Sequence, residues 1–223
     1  MSFDNYQYAA PFGAQTRNPF NYSKFEQINR DSTTAWLTLE QITQQLNLFN
    51  DESQDSYLTG LEVATRQAIE DFLGLSIFPV SYRVWYGSES LAASPIGLDL
   101  PEVSQNFTPS QAGVTITSVG YWNDSFPPAF VTVGRSNYYY DASGNKVIVN
   151  SLPTDINTVM TAPLIIEYAT VANPLASYAV IQQAGLLLLT HLYNNRSDTT
   201  ETKLKQIPFG VEALLRPYKP LVM

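Results

Sequence analysis

The sequence predicts an α+β protein in which a helical core carries an inserted, small antiparallel β-domain. Apolar residues recur at helical spacing before about residue 76 and again after residue 171, whereas over residues 77–170 their period falls to two. In that middle stretch, β-branched and aromatic runs alternate with clusters of Gly, Pro, Asn and Asp, which is typical of strands joined by turns. We therefore predict a helical core of residues 36–76 and 171–206 around a β insertion.

Residues 1–35 precede the first periodic segment and are predicted to form a flexible, aromatic-rich arm. Pro11 and Pro19 interrupt this stretch, which has neither a helical nor a strand period. Its aromatic side chains are too many for a purely solvated tail, so we expect the arm to order against a neighbour. These aromatics are Phe3, Tyr6, Tyr8, Phe12, Phe20, Tyr22 and Phe25.

Two N-terminal helices are predicted from capping signals and apolar stripes. Thr38 followed by Gln41 forms a capping box for a short first helix. Asp51 with Gln54 repeats the device, and a longer amphipathic helix follows, with Gly74 as its C-cap. We assign its charged residues to solvated faces away from the apolar stripe; they are Glu62, Arg66, Glu70 and Asp71.

Six strands are predicted between residues 77 and 170, and Asp141 to Asn145 is the best hairpin turn. Residues 87–113 read as a long loop. The predicted strands cover residues 81–86, 114–122, 129–133, 137–140, 146–150 and 164–170.

A long apolar helix is predicted to begin at Asn173, which can cap it, with Pro174 in the first helical position, and to end near Asn195. Because residues 174–195 contain no Lys, Arg, Asp or Glu, a membrane span has to be weighed. Two glutamines, a threonine and His191 would be costly in lipid. We therefore interpret it as a helix buried in protein, with partners on several sides.

A last short helix is predicted after Pro208, ending at Pro217. Charge is uneven along the chain. Residues 51–110 hold nine acids and two bases, whereas residues 196–223 hold five bases and three acids. Such polarity suits head-to-tail contact between identical subunits.

Composition argues against most catalytic functions. The chain has no cysteine, which excludes disulfides and thiolate metal sites. With 12 Lys+Arg against 20 Asp+Glu and a net charge of −8, tight nucleic-acid binding is disfavoured. His191 is the single histidine, and its place in an apolar helix favours a structural role. Glycine-rich phosphate loops and nucleophile elbows are absent from the sequence. We predict no enzyme, no catalytic or metal-binding residue and no cofactor.

A run of three tyrosines offers a candidate contact surface. Few basic residues lie near Tyr138, Tyr139 and Tyr140 in the sequence. This favours strand packing or subunit contact over the stacking of nucleic-acid bases. With Phe20 and Tyr22 of the arm, they are the predicted subunit-interface residues.

Five sequence blocks occur in the order known from one protein family, and they span residues 37–218. On these blocks the chain resembles the phage head-tail connector (adaptor) family of tailed bacteriophages. The blocks are Leu37–Gln41 (LTLEQ), Ala68–Gly74 (AIEDFLG), Thr117–Tyr121 (TSVGY), Gln183–Arg196 (QAGLLLLTHLYNNR) and Pro208–Tyr218 (PFGVEALLRPY).

The resemblance implies a homo-oligomeric, dodecameric ring at the head-tail junction (neck) of a virion, made in the cytoplasm of a bacterial host. Such a ring docks beneath the portal protein and above stopper, nozzle or other tail proteins, and DNA passes through its lumen without specific binding. It also implies a docking segment at residues 207–223, whose deletion is expected to leave the monomer folded. The predicted portal-docking residues are Pro208, Phe209, Val211, Leu214, Leu215, Arg216, Tyr218 and Lys219.

Two alternatives stay open. One is a different neck or tail-completion protein that never touches the portal. The other is a small ligand-binding α+β protein, with a site between His191 and the β region.

Overall fold

The computed structural model describes residues 20–48, 52–87, 91, 95–101, 113–171, 174–196 and 209–219, with only the backbone of Phe209. The chain divides into two compact units. Unit 1 takes Met1–Ile28, Ser81–Val103 and Pro109–Ala169, and unit 2 takes Asn29–Val80, Ser104–Thr108 and Thr170–Met223. Helices and antiparallel strand pairs occur together, which confirms the α+β class.

Unit 2 is helical. Its four α-helices in the described residues are α1 (Leu39–Leu46), α2 (Asp55–Leu73), α3 (Ala179–Asn194) and α4 (Phe209–Leu215). Three short 3-10 turns accompany them, at Glu52–Gln54, Pro174–Ser177 and Arg216–Tyr218.

The capping predictions have mixed outcomes. The capping box of α1 is confirmed, since the Gln41 N–H donates to Thr38 Oγ1 (3.2 Å) and the Thr38 N–H to Gln41 Oε1 (2.9 Å). Gly74 ends α2 as predicted, in the left-handed region at φ 68°, where a residue without Cβ is favoured. At the start of α2, Gln54 makes no side-chain cap hydrogen bond, and Asp51 lies outside the described residues.

The start predicted for α3 is wrong by several residues. Pro174 begins a 3-10 turn, in which the Tyr178 N–H donates to the Leu175 carbonyl (3.1 Å). The α-helix begins only at Ala179, and the Gln182 N–H donates to the Tyr178 carbonyl (3.0 Å). A proline fixes φ near the value that both kinds of helix use, so its presence does not distinguish them. Asn173 lies outside the described residues.

The core of unit 2 is built by apolar side chains from all four helices and from the segment before α1. Trp36 packs on Gly185 of α3, and its indole N–H donates to the Ala176 carbonyl in the 3-10 turn before that helix (3.1 Å). The buried members are Trp36, Leu37, Ile42, Leu58, Ile69, Leu73, Leu75, Ile77, Leu175, Ile181, Ala184, Leu188, Leu189, Val211 and Leu215.

Within the described residues, eight strands form two sheets. A five-stranded sheet has the order β1-β2-β8-β4-β5, and a three-stranded sheet has the order β3-β7-β6. The strands are β1 (Lys24–Arg30), β2 (Val80–Tyr86), β3 (Ile96–Asp99), β4 (Val114–Trp122), β5 (Phe130–Thr132), β6 (Tyr138–Asp141), β7 (Lys146–Val149) and β8 (Leu164–Thr170).

All six predicted strands are confirmed to within one residue at each end, as is the hairpin turn, because Asp141 pairs with Lys146 across it. Strands β1 and β3 were not predicted. In β1 nearly every residue is exposed, so no apolar alternation marks it, and residues 24–30 were assigned to the arm. Strand β3 is only four residues long, one of them glycine, and it lies inside the stretch expected to be a long loop. So short a run carries little strand signal.

Candidate interaction surfaces

The described residues contain no group of three or more His, Cys, Asp or Glu side chains that could hold a metal ion. In that part of the chain, every helix is also too short or too polar to cross a membrane. His191 is half-buried near the end of α3, where its carbonyl accepts hydrogen bonds from the backbone and side-chain N–H groups of Asn195 (3.1 and 2.8 Å). These contacts belong to the helix end.

Three charged side chains of α2 lie inside unit 2, although they were assigned to solvated faces. Glu62 and Arg66 are each 1% exposed and Glu70 is 5% exposed. Their spacing of four residues places them on one helix face. The prediction of solvated faces is therefore wrong for these three, while Asp71 is exposed and lies 3.6 Å from Arg30, which also pairs with Glu70.

The carboxylates of this buried stripe hold backbone N–H groups. Glu62 Oε1 accepts from the N–H groups of Trp36 and Leu37 (3.0 and 3.3 Å). Glu70 Oε1 accepts from the N–H of Ile77 (2.9 Å). Buried backbone groups outside helices and sheets need such partners, so the carboxylates have a structural role.

Arg66, between the two glutamates on the same helix face, donates hydrogen bonds to backbone carbonyl groups. Its guanidinium donates to the carbonyls of Thr34 (2.7 Å) and Asp31 (2.6 Å), and it lies 4.7 Å from the ring centroid of Phe78. The four-residue spacing of Glu62, Arg66 and Glu70 was visible in the sequence. Solvated i, i+4 pairs have the same spacing, so the pattern alone could not reveal the burial.

Two of the predicted portal-docking residues are buried within unit 2. Val211 and Leu215 point from α4 into the core of unit 2 and are fully buried. Deleting residues 207–223 would remove both side chains from that core, so the deletion is now expected to destabilise unit 2.

The other predicted docking residues are exposed, half-buried or outside the described residues. Arg216 and Lys219 are exposed, and Leu214 is half-buried. Tyr218 is half-buried with its ring 5.7 Å from that of Tyr178, while Lys219 Nζ lies 4.9 Å from the ring centroid of Phe72. Pro208 and the side chain of Phe209 lie outside the described residues.

The tyrosine run is split by the alternation of β6. Tyr138 is buried, Tyr140 is half-buried, and Tyr139 on the opposite face is 52% exposed. Of the three predicted interface tyrosines, Tyr139 therefore presents the largest exposed fraction.

Phe20 and Tyr22 belong to an aromatic row on unit 1. Neighbouring ring centroids lie 5.4–6.2 Å apart along the row Phe20, Tyr22, Phe25, Tyr82 and Tyr168. Asn21 also bonds the edge of β3, because its Nδ2 donates to the Gly97 carbonyl (2.6 Å) and its Oδ1 accepts from the Asp99 N–H (2.9 Å). Residues 20–28 of the predicted arm are thus ordered on their own chain.

Burial raises the pKa of Tyr140 to about 12, and the charge of Asp141 adds to the effect. We expect Tyr140 to ionise near pH 12, above the usual value of 10.0. Because the folded state binds this proton more tightly, its stabilising effect is fully present below pH 10 and is lost as the pH rises towards 12. The difference in tyrosinate absorbance between the native protein and Tyr140→Phe measures it.

A matched titration of Tyr139→Phe on the same strand is the control for that difference. A Tyr140 step centred at pH 10 would contradict the burial argument.

The most exposed apolar side chains lie on two loops of unit 1, residues 123–129 and 155–160, which we call the loop pair. Phe126 is 100% and Val159 94% exposed. The loops are joined by backbone hydrogen bonds, from the Asp124 N–H to the Asp155 carbonyl and from the Asn157 N–H to the Trp122 carbonyl (both 2.8 Å). No sequence signal marked these two positions as exposed.

No known protein family matches the sequence, and no curated protein matches it. Solved structures do share its fold. A chain in the neck of an empty gene transfer agent (GTA) particle, computed with C6 symmetry, has 19% identity and a TM-score of 0.58, over 90% of this chain and 97% of that one. A chain in the virion of a native GTA particle has 17% identity and a TM-score of 0.56, over 89% and 96%.

A third chain, in the neck of a native GTA particle computed with C12 symmetry, has 17% identity and a TM-score of 0.50, over 90% of this chain and 97% of that one. At these identities the likeness shows the fold.

Proposed function

We propose that this chain is a structural, non-enzymatic neck protein of a phage-like particle. More specifically, we propose a head-tail connector (adaptor) that forms a ring beneath the portal, extends the DNA channel and provides a platform for stopper, nozzle or tail proteins. The observation that carries the proposal is a shared fold over about nine-tenths of the chain with proteins of GTA particle necks. The five sequence blocks support it independently.

A dodecameric ring is the proposed assembly. The native GTA neck was computed with C12 symmetry and the empty one with C6, and both symmetries are compatible with twelve copies of a chain. The uneven charge along the sequence suits heterologous contacts between identical subunits, which generate rings when the rotation closes.

In this proposal DNA passes through the ring without specific binding. The chain carries a net charge of −8, so its surface on average repels phosphate groups. Synthesis in the host bacterial cytoplasm and location at the head-tail junction follow from the same proposal, and the absence of cysteine suits a reducing compartment.

The proposed organisation has an arm (1–35), a helical core (36–76 and 171–206), a β insertion (77–170) and a docking segment (207–223). Because Val211 and Leu215 are buried, portal contact falls to the exposed members of that segment. Arg216 is the clearest of them. It is exposed and lies on the 3-10 turn that follows α4.

We expect Arg216→Glu to weaken association with portal rings of the same particle by about tenfold, because a charge at the rim of a contact is reversed while the core is untouched. The measurement is co-sedimentation of the 24.9 kDa chain with purified portal rings in the analytical ultracentrifuge.

Lys24→Glu is the matched control, since it makes the same change of charge at an exposed position of unit 1. If Arg216→Glu and Lys24→Glu weaken association with portal rings equally, residues 207–223 have no specific docking role. If the native chain does not bind the portal, the connector role is wrong, and the proposal becomes a different neck or tail-completion protein. A ligand-binding protein is the remaining alternative, and we know of no observation on the described residues that favours it.

A further inference from the structure

The loop pair is a preorganised apolar surface. The Asn123 side chain accepts from the Ser125 hydroxyl (2.6 Å) and the Ala129 N–H (2.8 Å), which shapes the first loop. The Asn157 side chain accepts from the N–H groups of Val159 (3.0 Å) and Met160 (3.1 Å), which shapes the second. Because the loops are already ordered, a partner binds them at little conformational cost.

The loop pair is also acidic. Residues 113–134 and 150–166 contain no Lys or Arg, and their only charged residues are Asp124, which is exposed, and Asp155, which is half-buried. Negative charge beside exposed apolar groups disfavours nucleic acid and anionic membranes as partners. The loop pair therefore fits a protein surface that is apolar and free of acids.

Unit 2 carries a surface of that kind on α3. Val180 and Leu187 are each 38% exposed, and Gln183 lies between them at helical spacing; we call these three residues the α3 stripe. From Ala179 to Asn194 the helix contains no Asp, Glu, Lys or Arg. Its sequence is that of a helix with partners on several sides, yet the monomer leaves this face open.

A positive charge follows the stripe. Arg196 is exposed just beyond the end of α3, where its guanidinium lies over the rings of Tyr57 (4.6 Å) and Tyr193 (4.5 Å) and donates to Gln54 Oε1 (2.6 Å). These contacts hold the cation at the end of α3, beside Tyr57 of α2. The α3 stripe itself carries no acid, so it suits the loop pair, which combines apolar tips with carboxylates.

We propose that the loop pair of one copy of this chain binds the α3 stripe of a second copy. The two surfaces differ, so the contact is heterologous, and each copy uses both surfaces once in a closed ring. This inference rests on the proposed function for its ring, and it assigns the ring contact to surfaces other than the docking segment.

The absence of native cysteine allows a direct test. Thr158→Cys in the loop pair and Gln183→Cys in the α3 stripe are made as separate variants, both at exposed positions. The two full-length proteins are mixed, with and without portal rings, and treated with a short bismaleimide. We expect a mixed dimer at about tenfold the yield of control pairs, because contact raises the effective concentration of the two thiols.

The control pairs replace one partner at a time with an exposed serine of the same unit, Ser136→Cys in place of the loop pair and Ser56→Cys, on α2, in place of the α3 stripe. Changing Phe126 and Val159 together to serine is expected to lower the mixed yield to the control level. Both side chains are almost fully exposed in the monomer, so its circular dichroism should not change.

Mixed cross-linking at the control level overturns the proposed contact, whether or not the chain assembles. If the cysteine variants still co-sediment with portal rings, the connector function stands and only the proposed contact is wrong. If they do not co-sediment, the connector function and the proposed contact are both wrong. Efficient cross-linking of Thr158→Cys to itself would also overturn it, in favour of a two-fold contact between loop pairs.

Discussion

Arg66→Ala is expected to lower the free energy of unfolding of unit 2 by about 3–5 kcal/mol, because two hydrogen bonds from a buried charged group are lost, each contributing about 1.5–3 kcal/mol. The carbonyls of Asp31 and Thr34 lose their donor, and the contact with Phe78 is lost. Urea unfolding, followed by the circular dichroism of the helices, measures the change.

Arg83→Ala is the matched control. Arg83 pairs with Glu167 (2.7 Å), but its side chain is 39% exposed, and pairs in solvent contribute about 0–1 kcal/mol. Arg66→Met separates two contributions, since it keeps an apolar stem and removes the donors. If Arg66→Ala costs no more than Arg83→Ala, the buried stripe of α2 does not hold the segment before α1.

The second large effect is expected from Gly185→Ala, which should destabilise unit 2 by roughly 2 kcal/mol. A Cβ at this position of α3 would lie 2.7 and 2.8 Å from two ring atoms of Trp36 and 3.2 Å from Leu37 Cδ1. The indole is buried and bonded to the Ala176 carbonyl, so it cannot move away freely. The free-energy cost of this overpacking exceeds the gain of about 1 kcal/mol that alanine brings through its higher helix propensity.

Gly60→Ala makes the same substitution inside α2, where nothing lies within 4 Å of the added Cβ. It should stabilise the protein by about 0.5–1 kcal/mol, because alanine restricts the unfolded chain and favours the helix. The two variants therefore have opposite expected signs in the same urea experiment. Stabilisation by both variants would mean that Trp36 does not pack closely on Gly185.

Much of the local structure could be predicted from the sequence, because its causes are local. The capping box of Thr38 and Gln41, the glycine that ends α2 and the Asp141 turn depend on bonds within a few residues. Strands buried on one face, such as β2, show the period of two that their burial requires. Strand β1 is exposed along most of its length and leaves no such pattern.

Burial of charge could not be predicted in the same way. Glu62, Arg66 and Glu70 have the spacing of a solvated helix face, and only the packing of residues 31–37 and 77 against α2 buries them. The same limit applies to the docking segment. An apolar residue at helical spacing can face a core or a partner, and Val211 and Leu215 face the core.

The sequence by itself thus determined the α+β class and most helix and strand positions, since composition, periodicity and caps are properties of short segments. Only the tertiary structure decided which apolar side chains stay at the surface. Phe126, Val159 and Leu187 are exposed because no distant segment among the described residues covers them, and burial is a property of contacts between residues far apart in sequence.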